Sequence, residues 1–317
     1  MPDATAGAVP PAAAGLLAAI GGTPLVELFF DELPAGSRLF AKLESVNPGG
    51  SIKDRPVARM LTRALAAGRF AGGRRLLDSS SGNAAIAYAQ LGAALGIGVT
   101  LVVPANASRE RLERIAAHGA ELVLTDPVEG YDFAVDAARR MAEEQPERYW
   151  YANQYANPDN WRAHYETTGV EILDQVRAAA GCPPDAFVAG IGTGGTLTGV
   201  GRRLRRVVPE LYVAAVIPEL FPGIEGLKPL GHPGDLVPDI LDQSLIDRRL
   251  ELTLEQAVAM CRRLGRRGLY VGPSSGAYVL AALEVARERR CRTVVTILND
   301  TGERYGSTGM WEVRPRR

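Results

Sequence analysis

The chain has little lysine: of its 36 basic residues, all but Lys42, Lys53 and Lys228 are arginine. Only lysine can offer a neutral amine to an aldehyde, because the guanidinium group of arginine stays protonated. Lys53 lies three residues after the Gly49-Gly50 turn, at the predicted start of a helix, so we interpret it as a candidate for Schiff-base chemistry. The alternative is a surface lysine in an arginine-rich protein. The surrounding sequence is needed to distinguish between these two interpretations.

Cysteine and histidine are also scarce, with three of each. The cysteines form no C-x-x-C pair, which predicts reduced thiols in a cytoplasmic protein. The histidines lack ligand spacing, so we expect no metal site. No apolar run approaches the roughly 18 residues of a membrane span. The formal net charge is zero, which disfavours a general nucleic-acid or membrane-surface binder.

The amino-terminal segment is rich in alanine and proline and could be mistaken for a signal peptide. No lysine or arginine precedes Arg38, so the charged region of such a peptide is missing. We therefore predict that residues 1–10 form a loose extension.

Short apolar runs alternate with longer amphipathic stretches along the chain. Strands are predicted over Leu39–Leu43, Leu76–Asp78, Val99–Val103, Leu122–Leu124, Phe187–Ala189, Val213–Ile217 and Val294–Leu298. Helices are predicted over Pro56–Ala67, Asn83–Leu95, Arg109–His118, Asp132–Glu144, Trp161–Ala178, Leu254–Leu264 and Ala277–Arg289. This order predicts an α/β fold with mostly parallel sheets in two three-layer αβα domains. We expect a smaller domain over 46–156, a larger one over 1–45 plus 157–317, and a ligand in the cleft between them.

A glycine-rich segment, Gly192-Thr193-Gly194-Gly195-Thr196, follows a predicted strand and begins a helix that runs to about Arg206. Converging backbone N–H groups and the positive field of a helix start would hold a phosphate there. The Gly-Lys-Ser/Thr ending of a Walker loop is absent, and the position does not suit a dinucleotide fingerprint. The alternative is a glycine-rich turn without a ligand.

Two serine-containing turns also lead from a strand into a helix. Ser80, Ser81 and Gly82 precede the helix at Asn83, where exposed amides suit a carboxylate, although serine also caps helices without binding anything. Ser274 either faces a ring nitrogen or caps its own helix. Together with the lysine turn and the glycine-rich loop, these turns indicate a phosphate-bearing aldehyde cofactor, which describes pyridoxal 5′-phosphate.

Two motifs resemble a known family. The run Asn47-Pro48-Gly49-Gly50-Ser51-Ile52-Lys53-Asp54-Arg55 and the later Gly-Thr-Gly-Gly-Thr loop are similar to those of the cysteine synthase and cystathionine β-synthase group of pyridoxal-phosphate enzymes. The resemblance extends from Ile20–Val26 to Asp300–Tyr305, nearly the whole chain. It implies the tryptophan-synthase-β-like fold, known as fold type II, with the mobile smaller domain binding the substrate and the larger one the cofactor phosphate.

The resemblance assigns roles to residues of this sequence. It implies that Lys53 binds the cofactor covalently and acts as general base, that Gly192–Thr196 hold the phosphate, that Asn83 contacts the ring hydroxyl and that Ser274 contacts the pyridine nitrogen. The residues expected around the substrate are Ser80, Ser81, Gly82, Ala84, Gln154, Gly226 and Lys228.

The resemblance also implies a reaction: L-cysteine from O-acetyl-L-serine or O-phospho-L-serine and sulfide, through an aminoacrylate intermediate. Homocysteine as nucleophile would make the protein a cystathionine β-synthase, and an amine would make it a diaminopropionate-type synthase. A third alternative is a non-catalytic homologue that acts as a binding partner. The family further suggests a cytoplasmic homodimer and serine acetyltransferase as a candidate partner.

Three positions need a separate interpretation. Ala84 stands where the family usually has threonine, which removes a hydroxyl near the substrate carboxylate. Lys228 and His232 lie in a segment that replaces the usual glycine-rich loop, and our hypothesis is that one of them binds an anionic group such as the phosphate of O-phosphoserine. The alternative is a solvated loop lysine. We interpret His164 as a packed helix histidine.

Overall fold

The computed structural model describes residues 9–230 and 236–311, and within these ranges the chain alternates helices with strands. The helices are α1 Pro11–Ala18, α2 Asp54–Ala66, α3 Asn83–Leu95, α4 Arg109–Ala117, α5 Gly130–Glu144, α6 Pro158–Ala163, α7 Gly169–Ala180, α8 Gly195–Arg205, α9 Leu254–Gly265 and α10 Pro273–Arg289. The strands are β1 Leu25–Leu28, β2 Arg38–Leu43, β3 Arg75–Ser79, β4 Val99–Pro104, β5 Glu121–Thr125, β6 Tyr149–Tyr151, β7 Ala186–Gly190, β8 Tyr212–Pro218, β9 Arg248–Leu252 and β10 Thr293–Leu298.

The strands form two sheets. The larger has the order β1-β2-β10-β7-β8-β9, and the smaller has the order β5-β4-β3-β6. Only β1 runs antiparallel to its neighbour among the pairs described; the others are parallel. The predicted α/β fold with two mostly parallel sheets is therefore confirmed. The small sheet falls inside residues 46–156, while the division into domains that move as units stays a prediction.

The central strands are apolar on both faces because helices cover both sides of each sheet. All residues of β10 and of β4 are buried. One large hydrophobic core surrounds the six-stranded sheet, and two smaller clusters surround the four-stranded one. None of the described helices combines the length and apolar character needed to cross a bilayer.

Three strands were not predicted from the sequence: β1, β6 and β9. All three lie at sheet edges, where one side of the strand is less covered and the apolar signal is weaker. In β9, the sequence Arg-Arg-Leu-Glu-Leu buries only its two leucines. The strand β6 is only three residues long. Short or polar edge strands are a common protection against pairing with other chains.

The prediction of one continuous helix over Trp161–Ala178 was wrong, because the helix is interrupted. The chain forms α6, then a π-helical turn over His164–Thr168, then α7. Within this stretch the Thr167 hydroxyl donates a hydrogen bond of 2.7 Å to the Ala163 carbonyl, which gives the backbone an alternative partner. Such π-turns inside α-helices occur frequently at functional sites.

Four helix starts define one region of the fold. They belong to α2, α3, α8 and α10. The first three follow the parallel strands β2, β3 and β7, whose carboxyl ends meet there. The strand predicted before the Ser274 turn was wrong, because α10 follows α9 and the segment between them forms only an isolated bridge. The turn before α2 is joined to the end of β10, because the Ile52 N–H donates to the Asn299 carbonyl at 3.0 Å. The start of α3 is joined to the same place, because Asn83 Nδ2 donates to Asp300 Oδ2 at 2.7 Å. The predicted site residues therefore converge.

Candidate active site

Two cavities sharing wall residues lie where these helix starts converge. The larger measures about 700 Å³, and Lys53 lines it together with Ser80, Ser81, Gly82, Asn83, Ala84, Gln154, Gly192, Thr193, Gly226 and Lys228. The smaller measures about 30 Å³, and it adds Gly194, Thr196 and Ser274 to the wall around Lys53. Every site residue predicted from the sequence therefore lines one of these cavities, except Gly195.

Lys53 directly precedes α2 and lines both cavities. Burial lowers the pKa of Lys53, and the nearby carboxylate of Asp300 opposes that shift. A lowered pKa increases the fraction of neutral amine, which is the form that condenses with an aldehyde and removes a proton. The position and the environment of Lys53 both suit the role predicted for it.

Hydrogen bonds from buried charged side chains stabilise the turn that carries Lys53. Asp54 accepts a hydrogen bond from the Gly49 N–H, and Arg304 donates one to the Gly49 carbonyl. Burial raises the pKa of Asp54 to about 6, while the Gly49 N–H and the charge of Arg304 oppose the rise. Gly50 has φ +77°, a conformation that favours glycine. The turn is thus fixed before any ligand binds.

The glycine-rich loop forms a cradle at the start of α8. A Cβ at Gly192 would lie 2.6 Å from the carbonyl oxygen of Gly226, and Gly194 has φ +81°. Both positions therefore require glycine. Within the loop, the Gly195 N–H donates to the Thr193 hydroxyl at 3.4 Å. Gly195 lies behind the cavity wall, where a Cβ would collide with the Asn160 side chain. A phosphate is compatible with this cradle, because the loop lines the smaller cavity and the start of α8 supplies N–H groups.

Two threonine hydroxyls and a histidine support the cradle. Thr193 Oγ1 accepts from Asn160 Nδ2 at 3.1 Å. Thr196 Oγ1 lies 3.3 Å from His164 Nε2, and Thr168 Oγ1 lies 3.0 Å from His164 Nδ1. Burial lowers the pKa of His164 well below its usual value, so the ring is neutral. His164 is packed, as expected, and it also contacts a residue of the predicted phosphate site, which the sequence interpretation missed.

The Asn83 side chain belongs to a buried polar network. Its Nδ2 donates to Asp300 Oδ2, its Oδ1 accepts from Arg304, and Tyr305 donates to the same Asp300 oxygen at 2.7 Å. One hydrogen of the Asn83 amide is left for a ligand. The predicted contact with a cofactor hydroxyl is compatible with this arrangement and stays a prediction.

The serine turn and Gln154 form the side of the larger cavity nearest β3. The Ser80 hydroxyl accepts from the Gly82 N–H at 3.2 Å, and Gln154 Nε2 donates to the Ser79 carbonyl at 2.9 Å. Ser80 and Gln154 are buried. Ala84 occupies the second position of α3 and brings no hydroxyl. Backbone amides at the start of α3 remain to bind a carboxylate.

The outer wall of the larger cavity carries charged residues that sequence analysis only partly identified. Lys228 Nζ pairs with Asp132 Oδ1 at 2.7 Å and lies 5.2 Å from the centre of the Tyr155 ring. Buried Arg111 forms an ion pair with Glu225. His232, the alternative to Lys228 in our hypothesis, lies outside the described residues.

The spacing of residues in α4 indicates that Arg111 is buried. It is four residues before Ile115, and these two are the buried residues of α4, so the arginine occupies an apolar position of the helix. A buried arginine at such a position needs a partner. Glu225 supplies one from a loop far away in the sequence, and no local pattern predicts that contact.

The fold and the cavities define a class of protein: an α/β enzyme whose lysine, glycine cradle and helix starts suit a phosphorylated aldehyde cofactor. The family model described as pyridoxal-phosphate dependent enzyme matches residues 16–300. The chain therefore belongs to the family of pyridoxal-phosphate dependent enzymes, and the predicted family and cofactor are confirmed.

Individual relatives are similar over nearly the whole chain. A cysteine synthase of Aquifex aeolicus (strain VF5) is 42% identical over 305 residues, which cover 93% of this chain and 91% of that protein. The crystal structure of an O-ureido-L-serine synthase has a TM-score of 0.86 at 37% identity, with coverage of 95% and 96%. A cysteine synthase (OASS) from Entamoeba histolytica has a TM-score of 0.85 at 34% identity, with coverage of 95% and 91%.

Proposed function

We propose that this protein makes L-cysteine by exchanging the β-substituent of an O-activated L-serine for sulfide. The observation that carries the proposal is one cavity that Lys53 lines together with the glycine-rich loop and the serine turn. The similarity to cysteine synthases over more than nine-tenths of the chain supports the choice of reaction.

The bound cofactor supplies an electron-withdrawing ring that activates the α-carbon of an amino acid. Residues of the chain do the rest. Gly192, Gly194 and Thr196 hold the phosphate, and Ser80 with the amides that follow it binds the substrate carboxylate. The neutral Lys53 amine removes the α-proton and later returns it. Closure of residues 46–156 over the cavity would limit the access of water.

The wild-type protein, loaded with pyridoxal 5′-phosphate, tests the reaction. We expect the visible absorbance spectrum to change when O-acetyl-L-serine or O-phospho-L-serine is added, to return on addition of sulfide, and L-cysteine to accumulate. Product analysis by mass spectrometry identifies the amino acid formed. A protein that binds the cofactor but whose spectrum neither donor changes would contradict the proposal.

Other nucleophiles give the alternative functions distinct outcomes in the same assay. Product formation with homocysteine and not with sulfide would make the protein a cystathionine β-synthase. Product formation only with an amine would make it a diaminopropionate-type synthase. A loaded protein without any turnover would be a non-catalytic homologue. The O-ureido-L-serine synthase among the structural neighbours is named for a different serine-derived product, so the fold alone does not select the nucleophile.

The choice between O-acetylserine and O-phosphoserine as donor is not determined by the family, and we propose that Lys228 contributes to this choice. Lys228 lines the larger cavity, and Arg111 lines the same wall. Their partners Asp132 and Glu225 are considerably more exposed than the two cations. An anionic leaving group can therefore replace an acid that still reaches solvent, while the cations stay in place.

Lys228→Ala tests this role directly. If O-phosphoserine is the donor, we expect kcat/KM for O-phosphoserine to fall about 10- to 150-fold, which corresponds to the loss of a charge-assisted hydrogen bond of about 1.5–3 kcal/mol. The value for O-acetylserine should change less than about threefold, since its leaving group is uncharged until it departs. Asp132→Asn is the matched control, because it removes the partner and keeps the cation. An unchanged preference between the two donors in Lys228→Ala would reject the role.

The assembly and the motion follow from the family resemblance and are proposals as well. We infer a homodimer in the cytoplasm, with serine acetyltransferase as a candidate partner. We also infer that residues 46–156 move as a substrate-binding domain that closes over the cavity. Light scattering of the purified protein measures the oligomeric state, and small-angle scattering with and without the donor measures closure.

A further inference from the structure

We propose that Asn299 fixes the direction of the Ser274 hydroxyl, so that Ser274 donates its proton to the pyridine nitrogen of the cofactor and keeps the ring uncharged. Asn299 was not among the predicted site residues. Its role is that of a positioning residue, which acts on the cofactor through Ser274, given the proposed contact of Ser274 with the ring.

The geometry at the end of the smaller cavity supports this role. Ser274 is the second residue of α10, and Asn299 directly follows β10; both are buried and line the cavity with Lys53. Asn299 Nδ2 donates to Ser274 Oγ at 3.1 Å. An amide N–H can only donate, so the serine oxygen is the acceptor of this bond. The single hydroxyl proton must then point elsewhere, and the cavity is where a ligand can accept it.

The backbone of Asn299 is held on two sides, which fixes the position of its side chain. Its N–H donates to Ser275 Oγ at 2.8 Å, and its carbonyl accepts from the Ile52 N–H at 3.0 Å. The first contact ties Asn299 to the residue after Ser274. The second ties it to the residue before Lys53. Asn299 therefore links the two groups proposed to contact opposite ends of the cofactor's conjugated system.

The Tyr278 hydroxyl is a further neighbour of the Asn299 side chain. Burial raises the pKa of Tyr278 to about 12, although contacts with the Gly190 backbone and with Asn299 oppose the rise. Tyr278 is consequently a neutral phenol at physiological pH. No negative charge on Tyr278 competes with Ser274 for the N–H of Asn299.

The direction of one proton changes the chemistry that the ring supports. A carboxylate opposite the pyridine nitrogen would keep it protonated and make the ring a strong electron sink. A serine that donates a hydrogen bond to the ring nitrogen leaves that nitrogen unprotonated. The ring is then a weaker electron sink. This restricts the enzyme to departure and addition at the β-carbon, and disfavours reactions that need a long-lived negative charge on the ring.

Nitrogen-15 NMR of the protein loaded with cofactor labelled at the ring nitrogen reads the protonation state directly. For the wild type we expect the signal of an unprotonated, hydrogen-bonded nitrogen that does not change across neutral pH. Asn299→Asp presents acceptors to Ser274, which turns the hydroxyl around, so the signal should move towards that of a protonated nitrogen. Ser274→Asp provides the reference for a protonated ring, and Ser274→Ala the reference for a ring without a partner.

Two results would overturn the role of Asn299: a protonated nitrogen in the wild type, or a wild-type signal in loaded Asn299→Asp. If that variant does not load, Asn299→Leu removes the donor at a similar volume, and its signal should become pH-dependent because the hydroxyl is free to rotate. A pH-independent signal there would also contradict the proposal. These NMR measurements require bound cofactor but no turnover. Their outcome is therefore independent of whether the protein forms cysteine.

Discussion

Lys53→Ala is expected to abolish covalent binding of the cofactor and to lower turnover at least about 10³-fold, because it removes both the amine that binds the aldehyde and the general base. Lys53→Arg should be equally inactive, since a guanidinium group stays protonated. Absorbance of the purified variants measures the loss of the covalent adduct. Cysteine formation measures the loss of turnover.

The small number of lysines makes the assignment decisive. Reduction with borohydride followed by peptide mass spectrometry identifies which lysine carries the cofactor, and only Lys42 and Lys228 could compete with Lys53. Lys42 is buried and pairs with Glu171 at 2.8 Å, away from both cavities. Lys228→Arg is the matched control and should keep the wild-type spectrum. Modification at Lys228 instead of Lys53 would refute the central assignment.

Arg55→Met is expected to reduce the free energy of unfolding by about 3–5 kcal/mol, since it leaves the buried carboxylate of Glu44 without its cation, whereas Glu171 keeps Lys42. Arg55 donates to Glu44 at 2.7 and 2.8 Å and to Glu171 at 2.7 Å through two nitrogens. Glu44 is fully buried. Burial alone would raise the pKa of Glu171, but hydrogen bonds from Arg55 and Lys42 lower it to about 2.

Denaturation followed by circular dichroism and by tryptophan fluorescence measures the change. Arg109→Met is the matched control, because Arg109 forms an exposed pair with Glu113 on α4, and such pairs contribute little to stability. Arg55→Lys should fall between the two, since lysine keeps the charge and loses the forked geometry. A loss in Arg55→Met no larger than in the control would show that Glu44 and Glu171 find other partners.

The sequence predicted most of the interior of the fold. The seven predicted strands lie within β2, β3, β4, β5, β7, β8 and β10. These strands could be predicted because a strand covered on both faces is almost continuously apolar, as in Val294–Leu298. The helix Asn83–Leu95 was predicted with its observed bounds, since Gly82 precedes it and Gly96, with φ +69°, ends it.

The site was readable for a related reason. Lys53, the glycine-rich loop and the serine turns each lie in a short contiguous motif at a helix start, and parallel strands bring such starts to one edge of a sheet. Asn299, Asp300 and Arg111 could not be assigned in this way. Each acts through a partner distant in sequence: Asn299 through Ser274, Asp300 through Asn83, and Arg111 through Glu225.

Local patterns and the chemistry of single side chains were enough to predict the order of most elements, a candidate reactive lysine and the cofactor class. The groups that surround that lysine could not be predicted in this way, because they come together only in the folded chain. Arg304, for example, bonds the carbonyl of Gly49 in the turn that carries Lys53, although the two residues are 255 positions apart. Burial, which shifts the pKa of Lys53 and of Asp54, is a property of that assembled environment, since solvent exclusion arises only when the segments pack together.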